Sequence, residues 1–392
     1  MIRIAFTLIG GKNWTGGYNY LLNLLRVLAQ EAPGALQPVL FAGTDVPAAE
    51  LAPFAAIEGC TIEQNAAFNE DARLRTMARS LLLGRDAEVL TALQRQQVDV
   101  VFESAVFLGW RLPIPAIAWI PDLQHRFLPH LFSRMALVRR EIGFKAQIAS
   151  GRTIMCSSED TRRACENLYP GCKGRVHAVR FAVRSPTAWS DEDALATARR
   201  HGLPERFFFM PNQFWVHKNH RLVLEALKLL SQQGQPVTVV ASGQQQDPRD
   251  PSHAGALLAD ICAAGLQDRF LTPGLLPYAD LAPLMQASAA LLNPSLFEGW
   301  STTVEEAKAA GVPMLLSDLP VHREQAEGLA TFFDPRSAQS LAQALVSFNP
   351  SATTDRQTQR RIAESDARGR VSRFASDFVK LVHRATDPGR TS

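Results

Sequence analysis

The chain has 392 residues, roughly two and a half times a common domain size, so two large domains are expected. Hydrophobic residues make up 46% and charged residues 20%, a balance that excludes a disordered chain. A formal charge of +3 is too small at this length to mark a nucleic-acid binder, and none is expected as a partner.

The five cysteines, Cys60, Cys156, Cys165, Cys172 and Cys262, are odd in number, scattered and without metal-ligand spacing. They read as reduced thiols of a cytoplasmic protein, with no metal and no cofactor implied. No stretch approaches the roughly 20 apolar residues of a membrane-spanning helix. Met1 leads directly into an apolar strand with no signal-peptide layout, so the mature chain is expected to begin there.

Along the chain, short apolar runs alternate with stretches that suit helices. The first series runs Ile2 to Ile9, Pro38 to Ala42, Val98 to Phe102, Ile114 to Ile120, Thr153 to Cys156 and Val176 to Val183. Strands alternating with helices predict a parallel sheet covered on both faces. After the first strand comes Gly10-Gly11-Lys12-Asn13-Trp14-Thr15-Gly16-Gly17, which lacks the spacing of a dinucleotide fingerprint. Further on, Arg73, Arg75, Arg79 and Arg85 share a predicted helix with Leu81, Leu82 and Leu83. Two readings are open for it. One is a face resting on an anionic bilayer. The other is a buried leucine stripe with a solvated arginine face.

After the fourth run the chain reads Trp119-Ile120-Pro121-Asp122-Leu123-Gln124-His125-Arg126-Phe127. Asp122 or His125 there suits the orientation or deprotonation of a hydroxyl group. An ordinary hydrogen-bonded loop histidine is the alternative. Ser158 suits the cap of the helix that follows Cys156. Asp191-Glu192-Asp193 opens a helix after Ser190, where helix-start charge explains it better than metal binding.

A second series begins at Phe207 to Met210 and continues through Val237 to Ala241, Phe270 to Thr272, Ala289 to Asn293, Val312 to Leu316 and Thr331 to Phe333. The expected division is a first domain over 1–185, a linker over 186–205, a second domain over 206–365 and a terminal helix and tail over 366–392, with the helix returning to the first domain. The fold class is α/β, two doubly wound parallel-sheet domains. Ligands of such folds bind outside the carboxyl ends of the strands.

Two loops of the second series carry chemistry. In Met210-Pro211-Asn212-Gln213-Phe214-Trp215-Val216-His217-Lys218-Asn219-His220, a lysine stands between a strand end and a helix start, suited to a phosphate. In Asn293-Pro294-Ser295-Leu296-Phe297-Glu298-Gly299-Trp300-Ser301-Thr302-Thr303, a strand feeds a helix that stops at Gly311-Val312-Pro313. Thr302 with Glu305, or Thr303 with Glu306, fits a capping box. The free amides and dipole of such a helix start suit a diphosphate. Glu298 and Glu306 suit sugar hydroxyls, although a helix-dipole role for Glu305 and Glu306 is the simpler alternative.

Residues Pro294, Ser295, Glu298, Gly299, Glu306, Ala307, Gly311 and Pro313 match the Glu–seven residues–Glu signature of the family-four retaining glycosyltransferases, which this chain resembles. The resemblance covers nearly the whole chain and is specific from about Phe207 to Asp318. It implies the GT-B architecture, with the active site between an acceptor-side first domain and a nucleotide-sugar-binding second domain. It implies that Glu298 lies by the transferred sugar, Glu306 holds the ribose, and Lys218 grips the distal phosphate. Gly16 and Gly17 resemble the family's loop near the donor phosphates. Gly299, Ser301, Thr302 and Thr303 line the donor site, the last three replacing the usual Gly-Leu-Pro. The family's second phosphate cation, an arginine, is replaced here by Asn212 or Gln213, which supply no charge. The expected partners are a nucleoside diphosphate sugar and a saccharide or lipid-linked acceptor, in the cytoplasm or peripherally at the inner membrane face. The alternatives are a nucleotide-sugar epimerase or sugar phosphorylase on the same fold, and a non-catalytic sugar- or nucleotide-binding protein.

Overall fold

The computed structural model describes residues 1–8, 15–104, 106–185, 189–348 and 356–387. Contacts divide the chain into two units: Met1–Leu123, Arg134–Phe181 and Val371–Ser392 in the first, Gln124–Ser133 and Ala182–Arg370 in the second.

The first unit holds β1 (Ile2–Thr7), β2 (Leu36–Ala42), β3 (Thr61–Gln64), β4 (Val100–Ser104), β5 (Ala116–Ile120), β6 (Thr153–Cys156) and β7 (Val176–Ala178). They form one parallel sheet in the order β3-β2-β1-β4-β5-β6-β7. The sequence reading missed β3, because Thr61-Ile62-Glu63-Gln64 is a short, half-exposed edge strand with no apolar run. The helix Thr15–Glu31 seats Leu21, Leu24, Leu25 and Leu28 in the core at helical spacing. It takes in Gly16 and Gly17, expected in the loop before it, while Lys12 lies outside the described residues. On the sheet, an aromatic stack links Tyr20 to Trp119 at 4.2 Å and Phe102 to Trp119 at 6.0 Å between ring centres. From the terminal helix Arg356–Thr386, Phe378 reaches Phe102 at 5.6 Å and Phe374 reaches Phe181 at 5.7 Å.

The helix Ala72–Leu82 contradicts the buried-leucine reading. It buries the small residues Ala72, Thr76 and Ser80, while Leu74, Leu82 and Leu83 are 68%, 83% and 66% exposed. Arg79 is tied to Asp86 and Glu88, and Arg75 to Glu88.

The second unit holds β8 (Phe208–Met210), β9 (Val239–Ser242), β10 (Phe270–Gly274), β11 (Ala290–Asn293), β12 (Met314–Ser317) and β13 (Ala330–Phe333). They form a parallel sheet in the order β10-β9-β8-β11-β12-β13, so the strand order reverses between β8 and β11. That reversal opens a crevice at the carboxyl ends of β8 and β11. The helix Asp191–Arg200, expected within the linker, packs Ala194 and Ala198 into this unit's core. Ser190 caps it through the Asp193 amide, and the three acidic residues fill its first turn. Segment 124–133 also differs from the expected division, because it groups with the second unit rather than the first.

Candidate active site

Three loops at the carboxyl ends of β8, β9 and β11 are stitched together. The loop after β8 ends in a short 3-10 turn, Val216–Lys218, and Asn219 then adopts a left-handed conformation (φ 62°) before the helix His220–Gln232. The Asn219 amide donates to the carbonyls of Pro294 (3.0 Å) and Pro335 (2.9 Å). The Leu296 amide donates to the His217 carbonyl at 2.8 Å. These bonds fix the turn against the β11 loop. On the other side, the Phe214 amide donates to Gln244, and the Gln244 amide donates to Gln213 Oε1 at 2.8 Å. A Cβ at Gly243 would stand 2.4 Å from the Asn212 carbonyl, so only glycine permits this approach.

Lys218 and Glu298 meet across the crevice, Nζ to Oε1 at 2.6 Å, both largely buried. The same oxygen accepts from Ser295 Oγ at 2.7 Å, and Ser295 Oγ itself lies 2.7 Å from Asn293 Oδ1. Among the described residues Oε2 of Glu298 has no hydrogen-bond partner. Burial pushes the Glu298 carboxyl up, but the Lys218 ammonium, with His217 and His322, outweighs it and holds the group at about 2. Glu298 is therefore ionised at any working pH. The Lys218 ammonium uses one of its three donors on Glu298 and keeps two for a ligand.

The helix Thr302–Ala310 starts beside this pair. Its N-cap Ser301 makes no side-chain cap bond, so the capping box expected from the sequence does not form. Ser301 Oγ instead accepts from Asn293 Nδ2 at 3.0 Å and meets Thr303 Oγ1 at 3.1 Å. Its backbone is gripped by Gln325, whose Oε1 accepts the Ser301 amide while its Nε2 donates to the Ser301 carbonyl. The amides of the first turn are thus left for water or a ligand. Gly299 is buried and Thr302 exposed.

The two helix glutamates have separate fates. Glu305 is buried, accepts from Gln325 Nε2 (3.1 Å), and faces Lys308 and Arg370, each at 3.6 Å. It belongs to the packing of its helix. Glu306 is half-buried and has no hydrogen-bond or ion partner among the described residues. Burial pushes its carboxyl up to about 7.

The sequence reading missed Asp247, Arg249, Asn219, His217 and His322. Asp247 and Arg249 lie in the loop after β9. Their signal was a pair of charges just beyond an apolar strand. Asp247 is buried, and its Oδ2 accepts the Val216 amide at 3.1 Å. Arg249 donates to Asp247, to His217 Nδ1 (3.1 Å) and to Gln124 Oε1 (3.0 Å). Burial, with the neighbouring Lys218, pushes His217 down to about 3, so it is neutral. His322 is buried with Nδ1 against the Ser317 carbonyl at 2.9 Å.

Segment 124–133 touches these loops directly: Phe127 stacks on Phe297 at 5.5 Å, and Arg249 lies over the Phe132 ring. His125 sits in its short helix Gln124–Phe127 and is buried. Asp122 belongs to the first unit, where its carboxylate accepts from Arg140 at 3.3 Å. The two alternatives, Asp122 and His125, thus fall in different units. Trp119, at the head of the same run, is buried in the core of the first unit. Asn212 is buried, and Gln213 Oε1 accepts the Gln244 amide.

Among the described residues no three His, Cys, Asp or Glu side chains group as metal ligands, and no helix is long and apolar enough to cross a membrane.

Residues 193–365 match the family model of glycosyl transferases group 1. No curated protein sequence matches the chain. Among solved structures, Anabaena HepE in complex with UDP and glucose is similar, with a TM-score of 0.71 at 15% identity, covering 98% of this chain and all of that one (100%). A Rickettsia africae glycosyltransferase gives a TM-score of 0.66 at 14% identity, covering 100% and 99% of the two chains. The sucrose-phosphate synthase of Thermosynechococcus elongatus gives 0.67 at 15%, covering 98% and 99%. The chain has the GT-B fold of these structures, and the family match lies within its second unit.

Proposed function

We propose that this protein is a retaining, metal-independent glycosyltransferase that moves a sugar from a nucleoside diphosphate sugar to a hydroxyl of a saccharide or lipid-linked acceptor. The observation that carries this reading is the grouping at the β8–β11 crevice. There an ammonium with two spare donors, a carboxylate with one open oxygen and an uncapped helix start lie together, with the unpartnered Glu306 on that helix. The diphosphate takes the Lys218 ammonium and the first-turn amides, which stabilise the charge it acquires as its bond to the sugar carbon breaks. Glu298 Oε2 accepts from a sugar hydroxyl, and Glu306 accepts from the ribose. The acceptor oxygen attacks from the face the diphosphate leaves, and its proton passes to a phosphate oxygen. No metal is needed where a lysine and helix amides neutralise the leaving group.

His125, on the segment stacked against the Glu298 loop, orients the acceptor from its buried position, and Asp122 lies just before that segment. Gly16 and Gly17 contribute on the donor side. The exposed Leu74, Leu82 and Leu83, with Arg73 and Arg85, favour a peripheral contact with an anionic membrane presenting a lipid-linked acceptor.

The test begins with a thermal-shift panel of nucleoside diphosphates and their sugars. UDP-glucose comes first, since HepE was solved with UDP-glucose. A ligand at about a hundred times its dissociation constant adds about 2.7 kcal/mol. The matching donor is then incubated with and without acceptor, and with excess chelator, and the product's anomeric configuration is read by NMR. A glycoside of retained configuration in chelator is expected. Epimerised donor, or sugar phosphate formed without acceptor, would replace this reading with the alternative chemistry on the same fold. Lys218→Ala is expected to weaken nucleoside diphosphate binding by about 1.5–3 kcal/mol, the range for a charged hydrogen bond. Unchanged affinity would remove Lys218 from the site.

A further inference from the structure

We infer that Arg249 is the second cation of the diphosphate site, reaching it from the β9 loop. The inference rests on the donor reading above. Lys218 alone does not balance a sugar diphosphate, a dianion, because its charge is already matched by Glu298 at 2.6 Å. A second cation adds to what Lys218 and the helix amides supply, and Gln213, a neutral side chain whose Oε1 accepts the Gln244 amide, is not one.

Arg249 is delivered to the same turn by a built support. Buried Asp247 accepts from the amides of Val216 and Arg249 and from Arg249 Nε (3.1 Å), which fixes the guanidinium relative to Val216–Lys218. The rings of Trp215 and Phe132 lie 5.5 and 5.6 Å from its central carbon. A guanidinium has five N–H donors. Nε is bound to Asp247, and NH2 is shared between Asp247 Oδ2 (3.3 Å) and His217 Nδ1 (3.1 Å). NH1 makes a single bond, to the neutral amide oxygen of Gln124 at 3.0 Å. One N–H therefore remains unused, and the other is held by an acceptor that a phosphate oxygen outcompetes. The side chain is 25% exposed. The Gln124 contact also ties donor binding to the segment that carries His125. A phosphate oxygen that takes NH1 releases Gln124 or shares the guanidinium with it.

The test measures binding of UDP, ADP, GDP and inorganic pyrophosphate by calorimetry, with the free nucleosides as controls. Pyrophosphate makes the result independent of the base. Arg249→Gln is expected to weaken diphosphate and pyrophosphate binding by about tenfold to a hundredfold, the scale of a charged hydrogen bond. Nucleoside affinity should not move. Adding Gln213→Arg to Arg249→Gln is expected to restore part of the loss. Should Arg249→Gln fail to fold, Gln124→Glu answers the question in a near-isosteric frame, because a carboxylate beside NH1 competes with the diphosphate and lowers affinity at least about tenfold. Full diphosphate affinity in Arg249→Gln, or in Gln124→Glu, would overturn the role of Arg249 and leave the donor reading standing. A wild-type protein that binds none of the four probes would overturn both.

Discussion

Two carboxylates eight positions apart sit in opposite electrostatic surroundings, and that contrast is open to measurement. Glu298 is held at about 2 chiefly by Lys218, against the cost of burial. Its folded value lies below the ordinary 4.5, so it contributes stability that is complete above 4.5 and lost as pH falls toward about 2. Glu306 works the other way: burial raises it to about 7, so its contribution weakens as pH rises from 4.5 through about 7. Ribose hydroxyls donate more strongly to the ionised form and pull the Glu306 value down. Nucleoside diphosphate binding near neutral pH should therefore release a proton, and affinity should rise between about pH 6 and pH 8. Calorimetry in buffers of different ionisation enthalpy counts that proton. Glu306→Gln should abolish both effects, and a pH dependence that survives the substitution would place its source elsewhere.

At the scale of elements, the site depends on how the β8 loop is pinned to its neighbours, and Asn219 is the pin. It adopts φ 62° and its side chain spans two carbonyls from separate loops. Asn219→Gly keeps the left-handed backbone but loses both hydrogen bonds, each worth about 0.5–1.5 kcal/mol. Asn219→Ala loses the same bonds and adds about 1–2 kcal/mol of backbone strain. Unfolding in denaturant should rank wild type above Asn219→Gly above Asn219→Ala. Both variants should also weaken diphosphate binding, since the turn carries Lys218. An alanine variant as stable as the glycine variant would show that the left-handed conformation is not strained there.

Over the whole molecule, the terminal helix serves two cores in turn. Up to Arg370 it belongs to the second unit, where Arg360 pairs with Asp191 and Arg370 faces Glu305. From Val371 it belongs to the first, where Phe374, Phe378 and Val382 are buried. Phe378→Ala should cost about 3–5 kcal/mol, the usual range for a fully buried phenylalanine. Hydrogen exchange should then quicken first in β1 and β4, whose Phe6 and Phe102 lie 6.1 and 5.6 Å from its ring. Exchange that quickens instead in β8 and β11 would contradict the assignment of this half-helix to the first unit.

The sequence by itself determined the two parallel sheets. Their strands are buried on both faces and therefore read as continuous apolar runs, whereas the polar edge strand β3 left no such mark. It also determined the positions of Lys218, Glu298 and Glu306, because each follows a strand end or opens a helix, where local punctuation is strong. Only the tertiary structure decided what these residues face. Pairing across the β8–β11 crevice joined Lys218 to Glu298, and burial separated the packed Glu305 from the open Glu306. The leucines of Ala72–Leu82 point outward because Ala72, Thr76 and Ser80 fit closer to the core than leucine would. Periodicity cannot reveal that when both faces carry some apolar residues. His125 reads as part of the first strand series by sequence, yet its segment groups with the second unit through Phe297 and Arg249. Arg249 itself stands 32 residues beyond His217 in a different loop, so local spacing gave no sign of their hydrogen bond. Contacts between distant loops depend on sheet order, and sheet order is a property of the folded chain.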